Sequence, residues 1–77
     1  MGVQAIESII TTAIPDCQLE VMADGNKLRL RVISIEFEGL SKVKRQQKIY
    51  GLLDELIKSG EIHAVTMLTL TPEEAGR

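Results

Sequence analysis

Apolar and polar residues change their spacing several times along this chain, and each change marks a structural element. Near the start, Val3, Ile6, Ile9, Ile10 and Ala13 fall on one side of a helical wheel, while Gln4, Glu7, Ser8 and Thr11 fall on the other. That is the period of an amphipathic helix. Pro15 disfavours helical geometry at Ile14 and has no N–H to donate, so the helix is predicted to stop near Ala13, with Pro15-Asp16 as the turn out. From Gln18 to Ser34 the period becomes two. Leu19, Val21 and Ala23 alternate with Gln18, Glu20 and Met22; Leu28, Leu30 and Val32 alternate with Lys27, Arg29 and Arg31. Asp24-Gly25 lies between these runs and suits a two-residue type I′ turn. With those two residues as the turn, Leu19 faces Leu30 and Val21 faces Leu28. On the other side, Glu20 meets Arg29, Gln18 meets Arg31 and Met22 meets Lys27.

A connection over 35–40 follows, with Gly39 allowing a sharp bend and Phe37 plugging the edge of the core. Ser41 is the expected N-cap of a second helix. Its apolar stripe runs through Val43, Ile49, Tyr50, Leu52, Leu53, Leu56 and Ile57, opposite Lys44, Lys48, Glu55 and Lys58, and Gly60 ends it. Gly51 in the interior costs about 1 kcal/mol relative to alanine, which predicts close packing or a slight kink there. Ile62 to Leu70 is apolar on both alternations and reads as a strand buried on much of both faces. A right-handed helical crossover would set it parallel to the second strand. Thr71-Pro72-Glu73-Glu74 has the threonine, proline and glutamate of a helix start. The order α-β-β-α-β describes one α/β domain over 1–77, an α+β sandwich in which a three-stranded mixed sheet carries its helices on one face.

Composition narrows the function classes. At 77 residues and a net charge of −2, with few aromatics, the chain is neither a disordered tail nor a strongly basic nucleic-acid binder. The single cysteine, Cys17, has no internal disulfide partner. No apolar run approaches the roughly 20 residues of a membrane span, and the first residues lack the pattern of a secretory signal, so a reducing, cytoplasmic setting is expected. Lys42, Lys44, Arg45 and Lys48 crowd the first half of the second helix, while Asp54 and Glu55 lie in its second half, against the macrodipole. Glu36, Glu38 and an Asp54–Lys58 pair offset this in part. The lysine face is either solvated surface or a docking surface for an acidic partner or phosphate.

Enzyme signatures are missing. There is no CxxC, HExxH, Walker loop or Gly-rich dinucleotide fingerprint, and Cys17 and His63 open different strands with no oxyanion-hole motif beside them. No catalytic residue is assigned. His63, the only histidine, is either a hydrogen-bonded structural side chain or a metal ligand. One imidazole cannot complete a metal site, so the ligand reading implies a half-site finished by another protein.

Phe37-Glu38-Gly39, Arg45, Tyr50, Ile62-His63-Ala64 and Thr71-Pro72-Glu73 together resemble the BolA-like proteins. Val43-Lys44-Arg45-Gln46-Gln47, Ile49-Tyr50-Gly51 and the Asp24-Gly25 hairpin are most similar to the small bacterial YrbA branch. The resemblance implies a class II KH-like fold and a non-enzymatic partner of monothiol glutaredoxin with glutathione. The heterocomplex would share a bridging 2Fe-2S cluster, with His63 as this chain's metal ligand, in iron-sulfur trafficking or iron and stress regulation. Phe37, Gly39, Lys42, Lys44, Arg45, Lys48 and Tyr50 are the partner-binding candidates, and the isolated chain is expected to be a monomer or weak homodimer. Relatives usually add a cysteine or histidine ligand around the hairpin, but here the tip is Asp24-Gly25-Asn26-Lys27. The usual tryptophan after Thr-Pro-x-Glu is replaced by Ala75.

The alternative implied by the family is a transcriptional regulator that binds DNA through Lys42, Lys44, Arg45 and Lys48. Against it, the Gly-x-x-Gly clamp of KH domains is missing and stacking aromatics are scarce. A third reading is a metal-free interaction module whose basic helix meets an acidic surface.

Overall fold

The computed structural model describes residues 2–76. Helix α1 spans Val3–Ala13 and strands β1 and β2 span Gln18–Asp24 and Lys27–Ile33. A single 3-10 turn, Ile35–Phe37, leads to α2 (Lys42–Leu52) and α3 (Asp54–Lys58). Strand β3 (Ala64–Leu70) and α4 (Pro72–Ala75) complete the chain. The sheet order is β1-β2-β3, with β2 antiparallel to β1 and parallel to β3. The predicted mixed sheet and its helical crossover are both present.

Helix α1 ends at Ala13 as Pro15 requires, and Ile14 still buries its whole side chain beside Ile6 and Ile10. These isoleucines pack with Leu28, Leu30 and Val32 of β2, with Phe37, with Ile49 and Leu53, and with Ile62. Phe37 is fully buried, at the centre of the core and not merely its edge. Outside the core, Asp16 ties the turn after α1 to the end of β2. Its carboxylate accepts from the Ser34 hydroxyl at 2.8 and 3.0 Å and from the Ile35 N–H at 3.0 Å.

The hairpin register differs from the expected one by two residues. Leu19 pairs with Val32, Glu20 with Arg31, Val21 with Leu30, Met22 with Arg29 and Asp24 with Lys27. The turn is therefore Gly25-Asn26. Only Gly25 takes a positive φ, +62°, and no other residue type does so among the described residues. Positive φ at the first central position alone is the sign pattern of a type II′ turn, whereas type I′ would demand it at both. A slip of two preserves the alternation, so the core-facing residues are unchanged and only their cross-strand partners move.

The long helix is interrupted at Leu53, with φ −99° and ψ 6°. Its N–H is shared between the Ile49 and Tyr50 carbonyls, each at 3.2 Å. A Cβ at Gly51 would meet nothing within 4 Å, so close packing does not explain that glycine; the kink expected there falls two residues later.

Strand β3 is also corrected. It is buried on one face only, through Val65, Met67 and Thr69, while Ala64, Thr66 and Leu68 are exposed. With the main helices all on one side of a three-stranded sheet, the other side has only the short α4 to cover it. The capping box at Thr71 is formed as predicted: the Thr71 hydroxyl accepts from Glu74 N–H at 3.2 Å, and Glu74 Oε1 accepts from Thr71 N–H at 2.8 Å.

Candidate functional site

His63 stands immediately before β3, exposed, at the end of the sheet where the hairpin turns. Its N–H donates to the carbonyl of Asn26 at 2.8 Å, so the hairpin tip and the histidine are backbone neighbours. Parallel pairing produces this contact. Because Lys27 lies opposite Ala64, the residue before each strand must also meet. Gly60 ends α3 with φ +86°, which lets the chain reverse sharply into Ile62-His63. A Cβ on Gly60 would sit 3.5 Å from His63 Nε2, so glycine also leaves the imidazole more room.

The imidazole makes no hydrogen bond to another side chain or to the backbone among the described residues, unlike a buried structural histidine. Nor do the described residues contain a group of three or more His, Cys, Asp or Glu able to hold a metal ion. One exposed imidazole with both nitrogens uncommitted fits a single ligand in a shared site and does not fit a self-contained one. Cys17 opens into β1 on a different part of the fold. It is half-buried, and burial together with the neighbouring Asp16 charge raises its thiol pKa, which disfavours the thiolate that binds metal.

The candidate docking residues divide sharply. Arg45 points inward and is only 6% exposed. Its Nε donates to the Leu40 carbonyl at 3.0 Å, its Nη1 donates to the Thr69 carbonyl at 3.2 Å and pairs with Glu74 Oε1 at 2.7 Å, and its guanidinium lies 5.9 Å from the Phe37 ring centroid. Arg45 and Phe37 thus join α2, β3 and α4 into one body and are not presented to a partner. The Arg45 guanidinium and the Thr71 N–H hold the Glu74 carboxyl down at about 2. Lys48 reaches Glu36 at 3.3 Å. Gly39, Lys42, Lys44 and Tyr50 remain exposed, and neither Lys42 nor Lys44 forms an ion pair among the described residues. Of the four cations in the nucleic-acid alternative, one is therefore buried and one is already paired.

A BolA-like protein sequence profile matches residues 11–74, which takes in the hairpin, the Phe37–Arg45 pair, His63 and the Thr71 cap. The chain belongs to the BolA-like family. Acid stress protein IbaG of Escherichia coli K12 is 36% identical over 72 residues, covering 94% of this chain and 86% of that protein. Among solved structures, the BolA domain of SufE1 from Arabidopsis thaliana superposes with a TM-score of 0.87 at 31% identity, covering 96% of this chain and 98% of that one. Yeast Fra2 superposes at 0.76 with 27% identity, over 100% of this chain and 86% of its own. No helix among the described residues is long and apolar enough to cross a membrane.

Seen as a BolA-like domain, the chain holds Phe37, Arg45, Thr71 and Glu74 of its family pattern as one brace. Two long-range contacts, one at the site and one at the opposite end of the sheet, are not legible in the sequence. The Asn26–His63 contact depends on the parallel register, and the Asp16–Ser34–Ile35 anchor links segments 18 and 19 residues apart. Periodicity carries no signal for either.

Proposed function

We propose that this chain is a non-enzymatic partner of a monothiol glutaredoxin, forming a heterocomplex that shares a bridging 2Fe-2S cluster with glutathione. His63 would be its one ligand to iron, and the partner and glutathione would supply thiolates. The cluster would bring charge-transfer absorption and an exchangeable iron-sulfur unit. The observation that carries this reading is the exposed, uncommitted imidazole of His63, held in place by its own backbone at the hairpin end of the sheet. Membership of the BolA-like family and likeness to Fra2 and the SufE1 domain support a role linked to iron-sulfur proteins. The hairpin adds no cysteine or histidine, so this half-site is one bond wide on the protein's side. Lys42 and Lys44, exposed on the first turn of α2, are the cations left to steer an acidic partner.

Co-expression with a monothiol glutaredoxin should yield a brown heterocomplex. His63→Ala should shift or bleach its visible spectrum, while Cys17→Ala should leave the spectrum unchanged. Identical spectra for wild type and His63→Ala would overturn the ligand assignment.

A further inference from the structure

The open side of the sheet carries a groove that the His63 corner does not explain. Register sets Met22, Arg29 and Thr66 in one row across the sheet and Glu20, Arg31 and Leu68 in the next. Two depressions, of about 280 and 420 Å³, share Met22, Arg29 and Thr66 and so form one continuous trough along β2. At its hairpin end lies Lys27; at the far end α4 folds over Ile33, which is only 6% exposed although it lies on the open side. From Lys27 to Arg31 the trough is about 13 Å long, by the rise of strand residues, room for four or five extended residues.

Its chemistry is mixed in a particular way. Met22 and Leu68, at 64% and 50% exposure, flank a central strand whose outward residues within the trough are Lys27, Arg29 and Arg31, with the carboxylates of Asp24 and Glu20 across from Lys27 and Arg31. Glu20 reaches Arg31 at 3.6 Å, but Arg29 forms no ion pair among the described residues. Arg29 sits between Met22 and Thr66, neither of which can neutralise it. Apolar walls with an unpaired guanidinium on the floor call for a ligand that is apolar at its edges and anionic at its centre.

We infer that this trough docks an acidic amphipathic peptide segment of a partner protein, with a carboxylate on Arg29 and apolar side chains against Met22 and Leu68. A carboxylate can take the guanidinium bidentately, and methionine adapts its shape to varied apolar groups. Single-stranded nucleic acid is a poorer match because it relies on aromatic stacking, and the two aromatic residues lie elsewhere: Phe37 is fully buried and Tyr50 is on α2. A second copy is also poorer, since a self-complementary contact would set two faces against each other that each carry one more cation than carboxylate. The trough adjoins the His63 corner at Lys27 and Ala64, but its Arg29 and Arg31 rows lie two and four residues further along the strands, so the two readings are tested by different substitutions.

The test is titration of the full chain with a fluorescein-labelled peptide of alternating glutamate and leucine, followed by anisotropy and by amide chemical shifts. Shifts should centre on Met22, Arg29, Thr66 and Leu68, and Arg29→Glu should weaken binding about tenfold. Because Arg29 is an exposed strand residue, circular dichroism of the variant should match wild type. His63→Ala and Lys44→Glu should bind the peptide as wild type does. Shifts confined to α2, loss of binding on His63→Ala, or an affinity unchanged by Arg29→Glu would each overturn the proposal. So would self-association that shifts the same residues without peptide, or preferential binding of a polythymidine oligonucleotide there.

Discussion

The N–H of His63 donates to the carbonyl of Asn26 at 2.8 Å, and through this bond the hairpin turn sets the position of the histidine. The turn in turn depends on Gly25 at φ +62°. Gly25→Val should destabilise the fold by about 1–2 kcal/mol through left-handed strain. It should also perturb the His63 imidazole resonances more than those of Tyr50 on α2. Unfolding curves and side-chain NMR check the two effects together. Unchanged histidine resonances in a destabilised variant would show that the turn does not position the site.

Arg45 is the keystone of α2, β3 and α4. Arg45→Met should cost about 3 kcal/mol, because the Leu40 and Thr69 carbonyls and the Glu74 carboxylate lose their common donor. In a chain of this size that is most of the net stability. Glu74→Gln should be milder, since the amide can still accept from Arg45. Urea unfolding ranks the two variants, and an Arg45→Met protein as stable as wild type would contradict a structural role.

Acid should loosen the α4 brace in a defined window. The folded pKa of Glu74, about 2, lies below its ordinary 4.5. The unfolded chain therefore takes up the proton first as pH falls. The brace contributes fully above about pH 4.5 and is lost progressively between 4.5 and 2. Asp16 shifts in the same direction, because Ile35 N–H and the Ser34 hydroxyl hydrogen-bond its ionised form. The gap in urea midpoint between wild type and Glu74→Gln should hence be constant above this window and close within it.

Lys44 should show a conflict between stability and binding. It occupies the first turn of α2, where Ser41 accepts its N–H at 3.2 Å and the helix dipole disfavours a cation. Lys44→Glu would place a carboxylate at the third position of a capping box and should raise stability by about 0.5–1 kcal/mol. The same change should weaken the proposed glutaredoxin complex. Lys48→Glu should instead lower stability, by setting like charge against Glu36. Thermal melts and complex affinity, measured on both variants, would expose any departure from this opposition.

Alternation and cap chemistry made most of the fold legible. Pro15 placed the end of α1, the period of two placed both strands, and Ser41 and Thr71 cap as their sequence context requires. His63, Lys42 and Lys44 stood out as candidates because a lone histidine and an ill-placed cationic helix turn differ from scaffold, and the fold leaves all three exposed. Arg45 was less so. Charge pattern put it with its neighbouring lysines, but it lies on the inward side of α2, where the Leu40 and Thr69 carbonyls need a donor.

Residue order by itself determined which side chains of α1, β1 and β2 face the core, because periods of 2 and 3.6 are local properties of the backbone. It also determined that this chain offers one imidazole and no second soft ligand beside it. Tertiary structure decided the rest. Whether Asp24 or Asn26 joins Gly25 in the turn is a small local energy difference, resolved by the pairing of whole strands. That His63 meets Asn26, that Arg45 meets Glu74, and that the outer face of β3 stays bare follow from one long-range event, the parallel docking of β3 on β2. No local period encodes that docking, because its partners lie far apart in the chain.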